Sequence, residues 1–210
     1  MKKSNLVLIG AGGHARSCID VIQHEGKYRI AGLIGSKEEV GTSQFGLEII
    51  GCDENLNDLA LQFEYAFIGV GQMKSPTLRT HLFNVGLTAG FQFPTVISPA
   101  AYVSPYARIG QGTIVMHGAI INAGASVGEN CIINSRALIE HDSNVGNQCH
   151  ISTGVIINGG VDIGQGTFVG SGALVRNGAS IGRDSFIEMG AVVKGDLVPN
   201  SKLSRSSSEE

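Results

Sequence analysis

The chain has 210 residues, a formal net charge of −3, 30 glycines, 12 Phe and Tyr together and no tryptophan. Without a basic excess it offers no electrostatic footprint for nucleic acid or an anionic membrane, and its glycines lack the strict three-residue repeat of collagen. No apolar run is long enough to cross a bilayer, and residues 1–10 lack the apolar length and small-residue cleavage site of a signal peptide, so a cytoplasmic protein is expected.

Residues 5–9 read as a buried strand. The glycine turn over 10–15 then opens a helix reaching residue 24, with Ala15, Cys18, Ile19 and Ile22 at i, i+3, i+4, i+7 spacing. Strands over 28–34 and 65–70 and a second helix over 77–83, before Gly86, complete a small Rossmann-like domain over 1–92. Gly10, Gly12 and Ala15 satisfy G-x-G-x-x-A, where backbone N–H groups and a helix N-terminus cradle phosphate; a purely structural glycine turn is the other reading. A dinucleotide site needs an acidic residue after the second strand, and that place reads Leu33, Ile34, Gly35, Ser36, Lys37, which argues against NAD. A nucleotide diphosphate on one mononucleotide half fits better, with His14 at the same mouth.

A second domain is expected over 93–200, entered through Pro94 and Pro99. From Ile97 to Val193 every sixth residue is Ile or Val. A period of six fits neither an amphipathic helix nor an alternating strand, but it fits a solenoid. Two positions before each aliphatic sits a smaller residue, such as Ala107, Thr113, Ala119, Cys131, Ala137 or Cys149. Glycine follows the aliphatic at 110, 128, 146, 164 and 182, so three hexads make one coil of 18 residues with a triangular section. Each of these glycines marks either positive φ or close backbone approach between coils. Cys18, Cys52, Cys131 and Cys149 show neither CxxC spacing nor a disulfide framework, and read as free thiols, the last two stacked in the core. Residues 201–210 are polar and read as a flexible tail.

The stretch Ile139-Glu140-His141-Asp142 breaks this pattern. His141 falls two residues past an inward aliphatic, hence outward near a corner, between two carboxylates. Asp142, or else Glu140, would fix its tautomer and raise its basicity. One coil later lie Gly159 and Gly160, a notch where a thioester could lie with the Gly159 N–H aimed at its carbonyl oxygen; a turn that needs glycine is the other reading. His150 follows His141 by half a coil, a separation on the order of 15 Å. Both histidines can therefore serve one site only in a groove between protomers of a cyclic oligomer. Asn134, in the preceding coil, lines that groove or is a turn residue. His117, His141 and His150 are not spaced by multiples of 18, so no metal site is expected.

Together, the hexad repeat, the segment 139–142 and the glycine turn over 10–15 resemble the bacterial sugar acetyltransferases of the left-handed β-helix superfamily. That family includes sialic-acid O-acetyltransferase and UDP-N-acetylbacillosamine N-acetyltransferase, and the resemblance spans nearly the whole chain. It implies a mixed fold: an N-terminal Rossmann-like α/β domain binding a nucleotide sugar, then a left-handed parallel β-helix, an exception to the right-handed crossover rule. It further implies a homotrimer that binds acetyl-CoA between protomers and needs no metal. By position, the resemblance assigns catalysis to His141 and Asp142, and the amide meeting the acetyl carbonyl to Gly159, with Gly160 beside it for acetyl-CoA. A second active-site histidine falls on His150 and a groove asparagine on Asn134. The sugar nucleotide falls to Gly10, Gly12, Gly13 and His14 and to the later loop of Gly69, Gly71 and Gln72.

Two places depart from the family pattern. Adjacent aspartates of the bacillosamine branch are replaced by Ile34 and Gly35, which leaves the base open, and the usual ending after the last coil reads Pro199, Asn200, Ser201, Lys202, Leu203. The implied activity is acetyl-CoA-dependent N-acetylation of a nucleotide-linked amino sugar, a 4-amino-4,6-dideoxyhexose for surface glycans such as lipopolysaccharide O-antigen. Sialic-acid-type O-acetylation and a non-catalytic nucleotide-sugar-binding scaffold are the alternatives.

Overall fold

The computed structural model describes residues 3–73 and 75–205. The chain forms two compact units, Met1–Gly71 with Thr77–Ile97, and Gln72–Pro76 with Ser98–Glu210. The first unit extends past residue 92 to Ile97, because Phe91 and Phe93 belong to its core and the Phe93 ring lies 4.7 Å from that of Phe83.

In the α/β unit, strands β1 (Ser4–Ile9), β2 (Tyr28–Gly35), β3 (Ser43–Gln44), β4 (Leu47–Cys52) and β5 (Tyr65–Ile68) form one sheet in the order β3-β4-β2-β1-β5. All neighbours are parallel except β3 and β4. The helices are α1 (Gly13–Glu25), α2 (Leu56–Ala60) and α3 (Thr77–Ala89). Leu6, Val7, Leu8 and Ile9 of β1 are fully buried, as a central strand covered on both faces requires. β3, β4 and α2 add to the elements read from the sequence. β5 stops at Ile68, and Gly69 N–H makes the last bond of its ladder to β1 by donating to Ile9 O at 2.7 Å. α3 runs through Gly86 rather than ending before it. A Cβ there would fall 2.6 Å from Phe93 Cζ, so this glycine makes room for a ring instead of breaking a helix. The chain lays β2 and β4 on one side of β1 and β5 on the other. The carboxyl ends of β1 and β5 therefore flank the switch point where open α/β sheets bind ligands.

The second unit is a left-handed parallel β-helix of two-residue strands, each pairing with the strand 18 residues away, as Leu138–Ile139 pairs with Ile120–Ile121 and Ile156–Ile157. Every hexad aliphatic from Val115 to Val193 is buried, as are the small residues two positions earlier; Val103 and Ile109, in the first coil, are only partly covered. The glycines at 110, 128, 146, 164 and 182 are explained by close approach and not by positive φ. A Cβ on Gly146, for instance, would lie 2.7 Å from Gln165 N in the next coil. Left-handed backbone is instead concentrated two residues further on, at positions such as Gly112, Gly166 and Gln148. Cys131 and Cys149 are buried free thiols stacked one above the other, with the Cys149 N–H donating to Cys131 Sγ at 3.4 Å.

The outward residues differ by face. One column reads Tyr102, Ile120, Leu138, Ile156, Leu174, Val192, the next Arg108, Ser126, Asn144, Asp162, Ser180. The flexible tail expected from residue 201 is corrected for its first part. Lys202–Leu203 pairs with Phe186–Ile187 as a further rung, because the backbone there continues the ladder; residues 206–210 lie outside the described residues. Among the described residues no helix is long and apolar enough to cross a membrane.

Candidate active site

The corner after Leu138–Ile139 presents Glu140, His141 and Asp142 in sequence. His141 Nδ1 lies 2.9 Å from Asp142 Oδ2. A carboxylate only accepts, so Nδ1 carries the proton and donates it, leaving the Nε2 lone pair free to take one. Glu140 is engaged elsewhere: it accepts from Asn122 Nδ2 at 2.9 Å and from the His141 backbone N–H at 3.3 Å, which leaves Asp142 as the residue that orients the ring. The imidazole is 63 % exposed. Its hydrogen bond to Asp142 raises its pKa above the ordinary 6.5, opposed by desolvation and helped by the charges of Asp142 and Glu140.

Consecutive residues bond in this way because Asp142 adopts left-handed backbone, φ 59°, which turns its carboxylate back on the preceding ring. Its N–H donates to Ala123 O at 3.1 Å, and Gly124, one coil earlier, leaves the space that Asp142 Oδ1 fills. One coil later, a Cβ on Gly159 would fall 2.7 Å from His141 Nε2 and 2.8 Å from Cε1. The basic nitrogen is therefore laid against the glycine that the 18-residue register places beside it. The Gly159 N–H has no hydrogen-bond partner among the described residues, whereas Gly160 N–H donates to His141 O at 3.0 Å. Gly160 is exposed, with φ 66° and open space where a Cβ would stand.

The α/β unit presents a cleft of about 560 Å³ lined by Gly10, Ala11 and Gly12 beside Ile34 and Gly35, Gly10 N–H donating to Ile34 O at 2.8 Å, and further by Ser36, Glu39, Gln44 and Asp53. α1 begins directly behind Gly12 with no side-chain cap, so its first amides are open to an anion at the glycine turn. The two glycine loops touch. A Cβ on Gly10 would meet Val70 Cγ2 at 2.8 Å, and one on Gly71 would meet His14 Cβ at 3.2 Å. Gly10 and Gly12 thus line the cleft, with Gly13, His14, Gly69 and Gly71 around its glycine turn.

Gln72 and His150 belong to the β-helix unit and form a separate cluster with Asn134. His150 Nδ1 donates to Gln72 O at 2.6 Å, while its Nε2 accepts from Asn134 Nδ2 at 3.2 Å. The ring is 7 % exposed and meets Phe168 edge-on at 5.2 Å. Both nitrogens of His150 are thus occupied within the protomer, on a different face from the His141 corner. His117 bonds Ser98 Oγ through Nδ1 at 2.6 Å, and no three His, Cys, Asp or Glu side chains cluster as metal ligands among the described residues.

The sequence matches the family model of the PglD N-terminal domain over residues 5–84 and that of the bacterial transferase hexapeptide (six repeats) over residues 106–141. The structure resembles that of PerB from Caulobacter crescentus in complex with CoA and GDP-perosamine, with 32 % identity, a TM-score of 0.88, and 95 % of this chain and 93 % of that one covered. The chain belongs to the hexapeptide-repeat sugar acetyltransferases. A second similar structure is the acetyltransferase domain of PglB from Neisseria gonorrhoeae in complex with acetyl coenzyme A, at 30 % identity and a TM-score of 0.85, covering 95 % and 94 % of the two chains. No curated protein matches the sequence.

In this family member several residues join the site that the sequence reading passed over. Gly124 makes room for the Asp142 carboxylate, and its eighteen-residue offset from that residue is the signal that marks it. Arg79, buried in α3, donates Nη1 to Ile68 O and Val70 O, both at 2.8 Å, and so holds the loop after β5; nothing in the sequence distinguishes it from an exposed helix arginine. Ser36 and Glu39 form a capping box, readable as S-x-x-E, that sets one wall of the cleft.

Replacing Gly159 with Ala is expected to lower kcat on the order of 100-fold by displacing the imidazole, with an unchanged melting temperature; wild-type turnover would show that ring and glycine are not coupled. Because a base must be neutral and His141 holds its proton above pH 6.5, kcat/KM should rise with pH through an ionisation above that value. Asp142→Asn should move this inflection to lower pH, and a profile identical to wild type would detach Asp142 from the base.

Proposed function

We propose that this protein transfers the acetyl group of acetyl-CoA to the amine of a nucleotide-linked amino sugar, a 4-amino-4,6-dideoxyhexose used for surface glycans. The observation that carries this reading is the His141 imidazole, oriented by Asp142 through Nδ1 and laid at Nε2 against Gly159, whose N–H is uncommitted. The complex of the similar Caulobacter protein with CoA and GDP-perosamine supports the same pairing of donor and acceptor.

In this reading, His141 Nε2 takes a proton from the attacking amine, directly or through water, as the C–N bond forms. Asp142 stabilises the resulting imidazolium. Gly159 N–H donates to the carbonyl oxygen as negative charge develops there, and the collapsing intermediate releases the CoA thiolate, which recovers the proton. Gly159 and Gly160 leave room for the thioester, and the cleft from Gly10 to Asp53 holds the nucleotide.

The assembly proposed is a homotrimer. The outward column of Tyr102, Ile120, Ile156, Leu174 and Val192 is apolar yet between 37 % and 56 % exposed, an uncovered stripe of the kind that marks an interface. His141 stands at the corner bounding that stripe, so a neighbour packed there supplies the second wall of the donor site.

Purified protein given acetyl-CoA should release free thiol and N-acetylate nucleotide-linked 4-amino sugars, as read by mass spectrometry; exclusive O-acetylation of hydroxyl analogues would sink the amine reading. His141→Ala should lower kcat by roughly 10²–10⁴-fold while nucleotide binding persists, and unchanged turnover would reject the mechanism. Ile156→Glu should give monomers in sedimentation with little activity, whereas an intact trimer would move the interface elsewhere.

A further inference from the structure

The base of the nucleotide is left open by the proposed function, and the polar wall of the α/β cleft has the chemistry to choose it. That wall is built from Ser36, Glu39, Gln44 and Asp53. Its donors are largely spent internally. Ser36 N–H donates to Glu39 Oε2 and Gln44 Nε2 to Glu39 Oε1, both at 2.9 Å, and the Ser36 hydroxyl also bonds the Glu39 carboxylate. These bonds hold the Glu39 pKa below the ordinary carboxylate value, so it stays ionised and committed to its turn.

Chief among the groups the wall leaves to a ligand are the Gln44 carbonyl oxygen and above all the Asp53 carboxylate, which makes no hydrogen bond or ion pair among the described residues, while Lys37 beside it is engaged by Glu54 at 3.2 Å. Asp53 is exposed, and partial desolvation raises its pKa against the pull of His81. Leu78 also lines this cleft while 56 % exposed, an apolar surface that a flat ring would cover.

A carboxylate asks for two neighbouring N–H donors. Guanine supplies them on one edge, N1–H and the N2 amino group. Uracil and thymine present one donor between two acceptors, and adenine and cytosine present one amino donor beside an acceptor. Resting on the nucleotide-sugar reading above, we propose that the cleft selects guanine nucleotides, with Asp53 accepting from N1–H and N2–H and Leu78 covering a face of the purine. A uracil ring turned to the same wall would set its carbonyl oxygens against Asp53.

Isothermal titration of the full chain with GDP, IDP, UDP and dTDP tests this. GDP should bind most tightly. IDP, which lacks only the N2 amino group, should bind about tenfold more weakly, and UDP and dTDP more weakly again. Asp53→Asn should lose GDP affinity and gain affinity for xanthosine diphosphate, whose C2 oxygen accepts from the new amide. UDP or dTDP binding as well as GDP would overturn guanine selection while leaving the nucleotide-sugar reading intact. Equal affinity for GDP and IDP, or GDP affinity unchanged in Asp53→Asn, would overturn the role of Asp53. Binding of none of the four would overturn the nucleotide-sugar reading itself and this inference with it.

Discussion

Backbone hydrogen bonds from each coil to the next fix the β-helix at eighteen residues per turn, and the placement of its chemistry depends on them. They run through the strands, as from Glu140 N to Ile157 O at 2.9 Å, and through the corners, as from Gly160 N to His141 O at 3.0 Å. A corner residue therefore has set neighbours one coil before and after, whatever its side chain. Those neighbours are Gly124 against Asp142 and Gly159 against His141. In each case the absence of a side chain positions the reactive group, and the backbone supplies the rigidity that long polar side chains do not.

The solenoid was legible because its constraint is periodic. Ile and Val at every sixth position can satisfy only a structure that returns to its core every six residues, and glycine at every eighteenth gives the coil length. Register then related His141 to Gly159 without coordinates. Rotation about side-chain bonds was beyond its reach: the sequence preferred Asp142 but kept Glu140 as the alternative, and their difference lies in Asn122, which engages Glu140 from the coil before. The α/β unit was read less fully because its contacts have no repeat. β4 carries the apolar run Ile49, Ile50 and Cys52, but its partners and the place of Asp53 in the cleft follow from the folded sheet, which a single strand does not declare.

In the proposed mechanism the two units divide recognition from chemistry. One offers a cleft whose polar groups sit on turns after β2 and β4, where length and sequence can vary without disturbing the sheet. The other holds its reactive groups at a corner that the ladder does not allow to drift. His150 belongs to neither role in any open sense within the protomer, since Gln72 and Asn134 occupy both its ring nitrogens.

The left-handed backbone of Asp142 has a consequence for how the dyad is encoded. In extended chain, adjacent side chains point to opposite sides, so a histidine and its carboxylate usually come from distant segments. At this corner the equivalent positions one coil away are glycines, Gly124 and Gly160, both with positive φ, and an aspartate tolerates the same conformation better than most residues. The pair is thus written in two consecutive codons and is assembled by the closing of a single turn. Its contact order is as low as a side-chain contact can have, so the orientation of the base is settled by local chain geometry, and the long-range folding of the molecule has only to bring the substrates to it.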